Sequence, residues 1–451
     1  MIIKKLFRIF FSVAVAFVLF EGCKGDSSDD NTGSVETIQA DQMVIYEANP
    51  RVFASTNSIN AISDRLDEIK ALGTDVIWVM PIYEQGVLKS IGSPYCIKDF
   101  KSVNPIYGTL SDFQNLVSKA HAKGMKVMLD WIANHTSWDN VWISNKSWYT
   151  QNAHGDIVSP AGTNWTDVAD LNYDNASMRT AMIDAMKYWV TAADVDGFRC
   201  DYADGVPDDF WSNCILTLKE TKSGLTMLAE GTGNGLFDDG FDICFGWKYQ
   251  DALQKLFGSG AASDLYSAIQ TENKLAGVGK QWLRFTTNHD QASEQSPIAK
   301  YGGEKGAIAA YVITAFAGGS TLIYSSQEIG YDKALSFFKV NLMDWISNPS
   351  YLAEYKTIMK VYDETASYRT SAPKFYSCGN LVVMYYKNSQ GKSLLVVVNP
   401  KNEKVNVKAP IERAGDKVVD AISGAFASVP SSFEMEPYGY NVYTGESKYM
   451  L

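Results

Sequence analysis

The sequence predicts an α/β fold: a (β/α)8 TIM barrel with an inserted subdomain after strand three and a C-terminal antiparallel β-sandwich. Three observations carry this reading. Eight short β-branched or aromatic runs alternate with helix-like segments between Met43 and Ser325, the pattern of a parallel sheet covered by helices. The rhythm breaks inside that region, over residues 135–168. After about Ala372 it turns into strand-like runs separated by Gly and Asn turns.

The chain begins with Lys4, Lys5 and Arg8 ahead of an apolar run from Ile9 to Phe20, then Cys23 and a polar stretch. This is the pattern of a signal peptide over residues 1–22, and the run is too short to span a bilayer comfortably. Residues 23–40, which include Lys24-Gly25-Asp26-Ser27-Ser28-Asp29-Asp30, read as a flexible tether. The Cys after Gly22 resembles a bacterial lipoprotein signal, in which that Cys becomes the acylated first residue. The resemblance implies a lipid anchor at Cys23 and export to the outer membrane or cell surface. Periplasmic location or ordinary secretion is the alternative.

The candidate strands are Met43–Tyr46, Asp75–Met80, Lys126–Asp130, Val195–Asp201, Leu225–Glu230, Phe241–Phe245, Trp282–Thr287 and Thr321–Ser325. Eight units argue for a closed barrel, here formed by residues 41–134 and 169–370. Ile62, Leu66 and Ile69 share one helical face, as do Phe113, Leu116, Val117 and Ala120; Gly73 and Gly124 follow as C-caps. The insertion, 135–168, carries Trp138, Trp142, Trp148 and Trp165. Most of these are expected to form its small core and one or two to line a cleft. Leu381–Lys387, Ser393–Asn399, Val405–Lys408 and Val418–Ile422 supply the sandwich over 371–451.

Composition narrows the function. A net charge of −11 argues against nucleic-acid binding. Four histidines argue against a His-rich metal site. Beyond Cys23 the cysteines are odd in number and form no CxxC, so they read as buried hydrophobes rather than a disulfide framework or zinc site.

Acidic residues mark the strand ends, where a barrel builds its active site. Strand three ends in Asp130, strand four in Asp201 and strand five in Glu230; Asp290 follows strand seven. A lone strand-end acid more often caps the next helix; four at one mouth point to chemistry. In Gly197-Phe198-Arg199-Cys200-Asp201, period-2 geometry puts Arg199 and Asp201 on one face and Phe198 and Cys200 on the other. An Arg beside Asp201 holds it ionised and oriented, which suits a nucleophile. Glu230 ends an apolar stretch near other acids, which raises its pKa and suits a general acid. Two carboxyls driven apart in this way are the working parts of glycoside hydrolysis.

Asp130-Trp131-Ile132-Ala133-Asn134-His135, Gly197-Phe198-Arg199-Cys200-Asp201, Leu228-Ala229-Glu230 and Phe285-Thr286-Thr287-Asn288-His289-Asp290 resemble, in order, the four signatures of the alpha-amylase family of glycoside hydrolases (family 13). Val168-Ala169-Asp170-Leu171-Asn172 resembles an additional family signature, and Ser93-Pro94-Tyr95 with Asn104-Pro105-Ile106-Tyr107-Gly108-Thr109 resembles the stretch after strand two. The resemblance implies Asp201 as nucleophile, Glu230 as acid and base, and Asp290 as stabiliser of the transition state. It implies sugar contacts for His135 and His289, stacking by Tyr95 and positioning of Asp201 by Arg199. Asp130 is grouped with these substrate-binding residues, although bracing the mouth suits it better than chemistry. A structural Ca²⁺ on Asn134, Asp170 and the carbonyl of Gly205 is implied too, with a metal-free hydrogen-bond network as the alternative. The implied substrate is an α-glucan, starch or maltooligosaccharide, cleaved at α-1,4 bonds. The same residues would serve an α-1,6-glucosidase, a maltogenic exo-enzyme or a glucanotransferase. A non-catalytic surface glycan-binding protein fits less well, because no carboxylate is lost. Where many alpha-amylases carry Lys-His after the nucleophile, this chain has Asp204-Gly205, so the leaving-group side of the cleft must be built differently.

Overall fold

A computed structural model describes residues 42–232, 235–409 and 417–446. The leader, the tether and Cys23 lie outside these residues. Eight parallel strands close a barrel: β1 (Val44–Ala48), β2 (Val76–Val79), β3 (Lys126–Ile132), β4 (Gly197–Asp201), β5 (Thr226–Ala229), β6 (Ile243–Phe245), β7 (Gln281–Arg284) and β8 (Ser320–Tyr324). Each pairs with its sequence neighbours, and β8 returns to β1 with Val44 opposite Thr321.

Strand alternation divides the core in two. Ile45, Val76, Trp78, Met128, Leu228, Ile243, Phe245, Leu283 and Leu322 fill the barrel interior. Their neighbours Val44, Tyr46, Ile77, Val79, Val127, Leu129, Phe198 and Cys200 face the helices in a separate apolar cluster. Adjacent residues thus point to opposite sides, as period-2 geometry requires. Gly197 is the one residue type that β4 tolerates at its start, since a Cβ there would stand 1.9 Å from the Thr226 carbonyl oxygen.

The helical layer follows the predicted faces with one difference. Ile62, Leu66 and Ile69 are all buried, but over two short helices, Ser58–Ser63 and Leu66–Lys70, broken at Asp64 and Arg65. Leu110–Ala122 is a single helix, opened by a reciprocal Thr109–Asp112 capping box and burying Phe113, Leu116, Val117 and Ala120. Gly73 and Gly124 take positive φ of 73° and 71° just after their helices. Cys96, Cys200, Cys214, Cys244 and Cys378 are all buried.

Two excursions above the barrel shape its mouth. Tyr83–Gln85 pairs antiparallel with Ile97–Val103 after β2, and this hairpin presents Tyr95. After β3, His135–Ser137 pairs antiparallel with Val168–Asp170. Between them Trp142 meets Trp148 edge to face at 5.5 Å, while Trp138 donates its indole N–H to the Thr166 carbonyl.

The C-terminal region contains a six-stranded antiparallel sheet in the order Lys374–Phe375, Val382–Lys387, Lys392–Val398, Tyr440–Glu446, Lys417–Asp420, Phe426–Ser428. Val382, Met384, Leu394 and Val396 join the apolar cluster of the helical layer. Val383, Tyr385, Leu395 and Val397 pack instead with Phe433 and Met435 of a small second sheet, Val405–Lys408 paired with Ser432–Met435. No helix among the described residues is long and apolar enough to cross a membrane.

Candidate active site

The strand ends converge on a cavity of about 750 Å³ lined by Asp201, Glu230 and Asp290 together with Tyr95, His135 and His289. All three proposed reactive carboxyls therefore share one space. Asp201 is the last residue of β4, Glu230 follows β5, and Asp290 lies in the first turn of a helix begun by Asn288, whose side chain accepts the Gln291 N–H. The Asp290 side chain is 50% exposed and is the most open of the three.

Arg199 sits beneath them as a buried hub. Its Nη1 lies 2.8 Å from Asp130 Oδ1 and 3.0 Å from Asp201 Oδ1, and its Nη2 lies 2.7 Å from Glu230 Oε2. It also lies over the Trp78 ring at 4.9 Å. Asp130 is buried and receives hydrogen bonds from Trp78 Nε1 at 3.1 Å and the Tyr95 hydroxyl at 3.0 Å. Neither Asp130 nor Arg199 is among the residues that line the cavity. Both point inward from the strands one level below the mouth, so they orient the groups above.

Burial dominates the electrostatics. It raises the Asp201 carboxyl to about 6 despite the opposing pull of Arg199, with Asp130 and Asp290 adding repulsion. The expected ionising effect of the Arg is present but smaller than the cost of desolvation. Glu230 is raised further, to about 7, again by burial first, with Arg199 opposing and Asp201 and Asp290 reinforcing. Both carboxyls are thus held above their ordinary values by burial and by one another, and both are drawn down by Arg199. The Tyr202 backbone N–H donates to Glu230 Oε2 at 3.1 Å and fixes the carboxyl rotamer.

The two histidines differ. Burial drives His135 down to about 4, so its imidazole is neutral. Burial also pulls His289 down, but Asp290 and Glu47 outweigh it and raise the ring to about 9. His289 Nδ1 lies 2.6 Å from Glu47 Oε1, and its Nε2 lies 2.8 Å from the Tyr95 hydroxyl. Tyr95 stacks on this imidazole at 5.3 Å while facing the cavity.

Glu47 was not singled out from the sequence, although the signal was there. It follows Ile45 on the inward face of β1, by the same alternation that exposed Arg199 and Asp201. Its side chain is 0% exposed. Glu47→Gln is expected to let His289 lose its proton below the wild-type midpoint of about 9. NMR titration of the ring measures that shift. kcat/KM should fall by about ten- to a hundredfold, the worth of one charge-assisted hydrogen bond.

Of the four insertion tryptophans, Trp165 reaches the cavity. Its ring meets His135 at 5.6 Å and Tyr202 at 5.3 Å. Tyr202, Trp247, Phe337 and Phe338 also line the space and carried no mark in the sequence.

The implied calcium ligands lie near one another. Asn134 Oδ1 is 2.8 Å from where a side chain at Gly205 would begin, and Asp170 is the ladder partner of His135. All three offer hard oxygen donors, which suits Ca²⁺. Burial raises the Asp170 carboxyl while Thr150 lowers it; a divalent cation would hold it ionised.

The family model "Alpha amylase, catalytic domain" matches residues 40–160 and 161–214. The chain is 28% identical over 422 residues to alpha-amylase MalA of Haloarcula japonica, covering 86% of this chain and 59% of that protein. It is 30% identical over 195 residues to an oligo-1,6-glucosidase of Heyndrickxia coagulans, covering 35% and 34%. The chain thus spans less than two thirds of the length of these curated relatives. The crystal structure of an alpha-amylase from Lactobacillus plantarum superposes with a TM-score of 0.79 at 24% identity, covering 89% of this chain and 98% of that one, and so shares the fold. Together with carboxyls at the ends of β4 and β5 and after β7 that meet in one cavity, these matches make the chain similar to the alpha-amylase family of glycoside hydrolases, family 13.

Proposed function

We propose that the protein is a retaining glycoside hydrolase that cleaves α-1,4-glucosidic bonds in starch and maltooligosaccharides. The observation that carries this reading is the meeting of Asp201, Glu230 and Asp290 in one cavity, with Arg199 bridging Asp201 and Glu230 from below. The Asp201 carboxylate attacks the anomeric carbon as the Glu230 proton passes to the departing oxygen. A glycosyl ester on Asp201 results. Glu230, now a carboxylate, takes a proton from water, which attacks the same carbon and frees Asp201. Asp290 and the His289 imidazolium face the ring where positive charge and hydroxyl contacts develop. Two inversions leave the anomeric configuration unchanged.

The relatives carry both alpha-amylase and oligo-1,6-glucosidase names, so the bond is the point to test. A timed product profile on amylose, pullulan and isomaltose, with the anomer recorded, should show maltooligosaccharides released early from amylose in the α-configuration. Dominant release from isomaltose would make the protein an α-1,6-glucosidase. A single short product throughout would make it a maltogenic exo-enzyme, and lengthened chains a glucanotransferase. The reading includes Ca²⁺ held by Asn134, Asp170 and the Gly205 carbonyl, bracing the insertion against the barrel. It also includes export and a lipid anchor at Cys23, supported by the basic and apolar leader ahead of that residue. Surface attachment suits a polymer too large to import.

A further inference from the structure

Two loops that wall the cavity are held together by a side chain that stands behind them. Arg51 lies in the short helix Pro50–Phe53 directly after β1. Asn49 fixes that helix to the barrel frame. Its side-chain oxygen accepts the Arg51 N–H at 3.0 Å, its Nδ2 donates to the Tyr324 hydroxyl at 2.9 Å, and its own N–H donates to Ser325 Oγ at 3.1 Å. Arg51 is 8% exposed, and its guanidinium spreads over several neutral acceptors. Nε donates to the Tyr107 hydroxyl at 2.7 Å, and Nη2 donates to Gln85 Oε1 at 3.0 Å. Nη1 donates to two backbone carbonyls at once, those of Gly92 and Phe337, each at 2.7 Å. The group thus works here as a rigid fork of donors.

The two carbonyls belong to different loops. Gly92 lies in the hairpin that presents Tyr95, and Gln85 Nε2 reinforces the same stretch by donating to the Ser93 carbonyl at 3.3 Å. Phe337 lies in the segment after β8, where the Asn341 and Met343 N–H groups donate to the Arg51 and Val52 carbonyls at 3.0 and 3.1 Å. On its far side that segment is pinned by the Leu335 N–H, which donates to the Ala292 carbonyl in the helix that carries Asp290. The Phe337 ring meets Tyr95 edge-on at 5.8 Å and His289 edge-on at 5.0 Å. These three rings make one continuous face of the cavity.

We propose that Arg51 is a positioning residue: by holding the Gly92 and Phe337 carbonyls on one nitrogen, it keeps the Phe337 ring closed on Tyr95 and His289 and so sets the wall that receives the sugar under attack. The proposal rests on the glycosidase reading and goes beyond it, since it places part of the site's precision in a residue that touches no substrate. A displacement of about 1 Å in such a wall can cost about a hundredfold in rate. The Tyr107 and Gln85 bonds serve stability, and the bridge between the two carbonyls serves activity.

The test separates these two contributions. Assays use whichever of maltotetraose and isomaltose the wild-type protein hydrolyses, at a temperature where thermal unfolding shows each variant fully folded. Arg51→Met removes every donor, and its kcat/KM should fall about tenfold or more. Arg51→Lys melts lower than wild type but offers one nitrogen that can bond both carbonyls. It should restore kcat/KM to within about threefold of wild type. Phe337→Ala should lose a comparable factor on its own. Combined with Arg51→Met, it should cost at least about fivefold less than the product of the two single losses, because the ring that Arg51 places is already gone. Arg51→Gln, whose amide can still bond one carbonyl, replaces Arg51→Met in this cycle should the latter fail to fold. Folded variants with wild-type kcat/KM would overturn the proposal and leave Arg51 a purely structural residue. Losses that multiply in the double variant, or a lysine as impaired as the methionine, would overturn it too. Wild-type protein that turns over neither sugar would overturn the glycosidase reading and this proposal with it.

Discussion

Asp201→Asn is expected to abolish turnover, lowering kcat by on the order of 10⁴-fold or more, as the loss of a covalent nucleophile does. Binding of a maltooligosaccharide should persist, because Tyr95, His135 and Tyr202 still line the cavity. Calorimetry with maltoheptaose alongside a turnover assay separates the two effects; unchanged turnover would refute the assigned nucleophile. The same variant makes a prediction about stability. Asp201 has a folded pKa of about 6 against an ordinary 3.8, so the folded state favours its protonated form. That contribution is fully present below the unfolded value and is lost as pH rises through about 6. Asparagine cannot ionise. Thermal unfolding of Asp201→Asn should therefore decline less between pH 4 and pH 7 than wild type, leaving the inactive variant relatively more stable at neutral pH. A protein more stable without its nucleophile is the usual sign of a site strained for function.

Much of this site was legible because two periodicities act together. The repeated strand-helix alternation gave the barrel, and the period of two within each strand gave the inward side chains at 199 and 201. Glu47 obeys the same rule and was missed because it stands before Ala48 in an otherwise apolar run, with no second acid beside it to attract notice. Tyr202 was missed for a different reason. Its place depends on a left-handed residue, a glycine three positions on and a tryptophan from the insertion, and no local pattern announces that combination. The hairpin over 83–103 was also unread. Its register shifts at Glu84 break the alternation that would have marked it. Tyr440–Glu446 sits in the middle of the C-terminal sheet, yet only Val442 is fully buried, so its sequence reads as a polar loop. The pKa of Asp201 was misjudged because a sequence shows the neighbouring Arg but not the depth of burial that outweighs it.

Arg199→Leu is expected to be the most destabilising single change at the site, by about 3–5 kcal/mol, the cost of leaving buried charge without its partner. The side chain is fully buried and spans Asp130, Asp201 and Glu230. Its removal leaves Asp130, itself wholly buried, with hydrogen bonds from Trp78 and Tyr95 but no cation on it. Arg199 lowers all three carboxyls against the rise that burial imposes. Without it each rises further above its unfolded value. A group raised in the folded state loses its contribution as pH climbs through the folded pKa, so the deficit should widen from pH 4 to pH 8. Denaturant unfolding across that range measures it, and a deficit that is flat with pH would show that lost packing against Trp78, not charge, is responsible. The double variant Arg199→Leu with Asp130→Asn provides the decisive comparison. Removing the deepest carboxylate should recover part of the stability, because a neutral amide costs less to bury than an unpaired charge. Activity should not recover with it: Asp201 and Glu230 would still lack the one cation that holds both carboxyls in place above the barrel core.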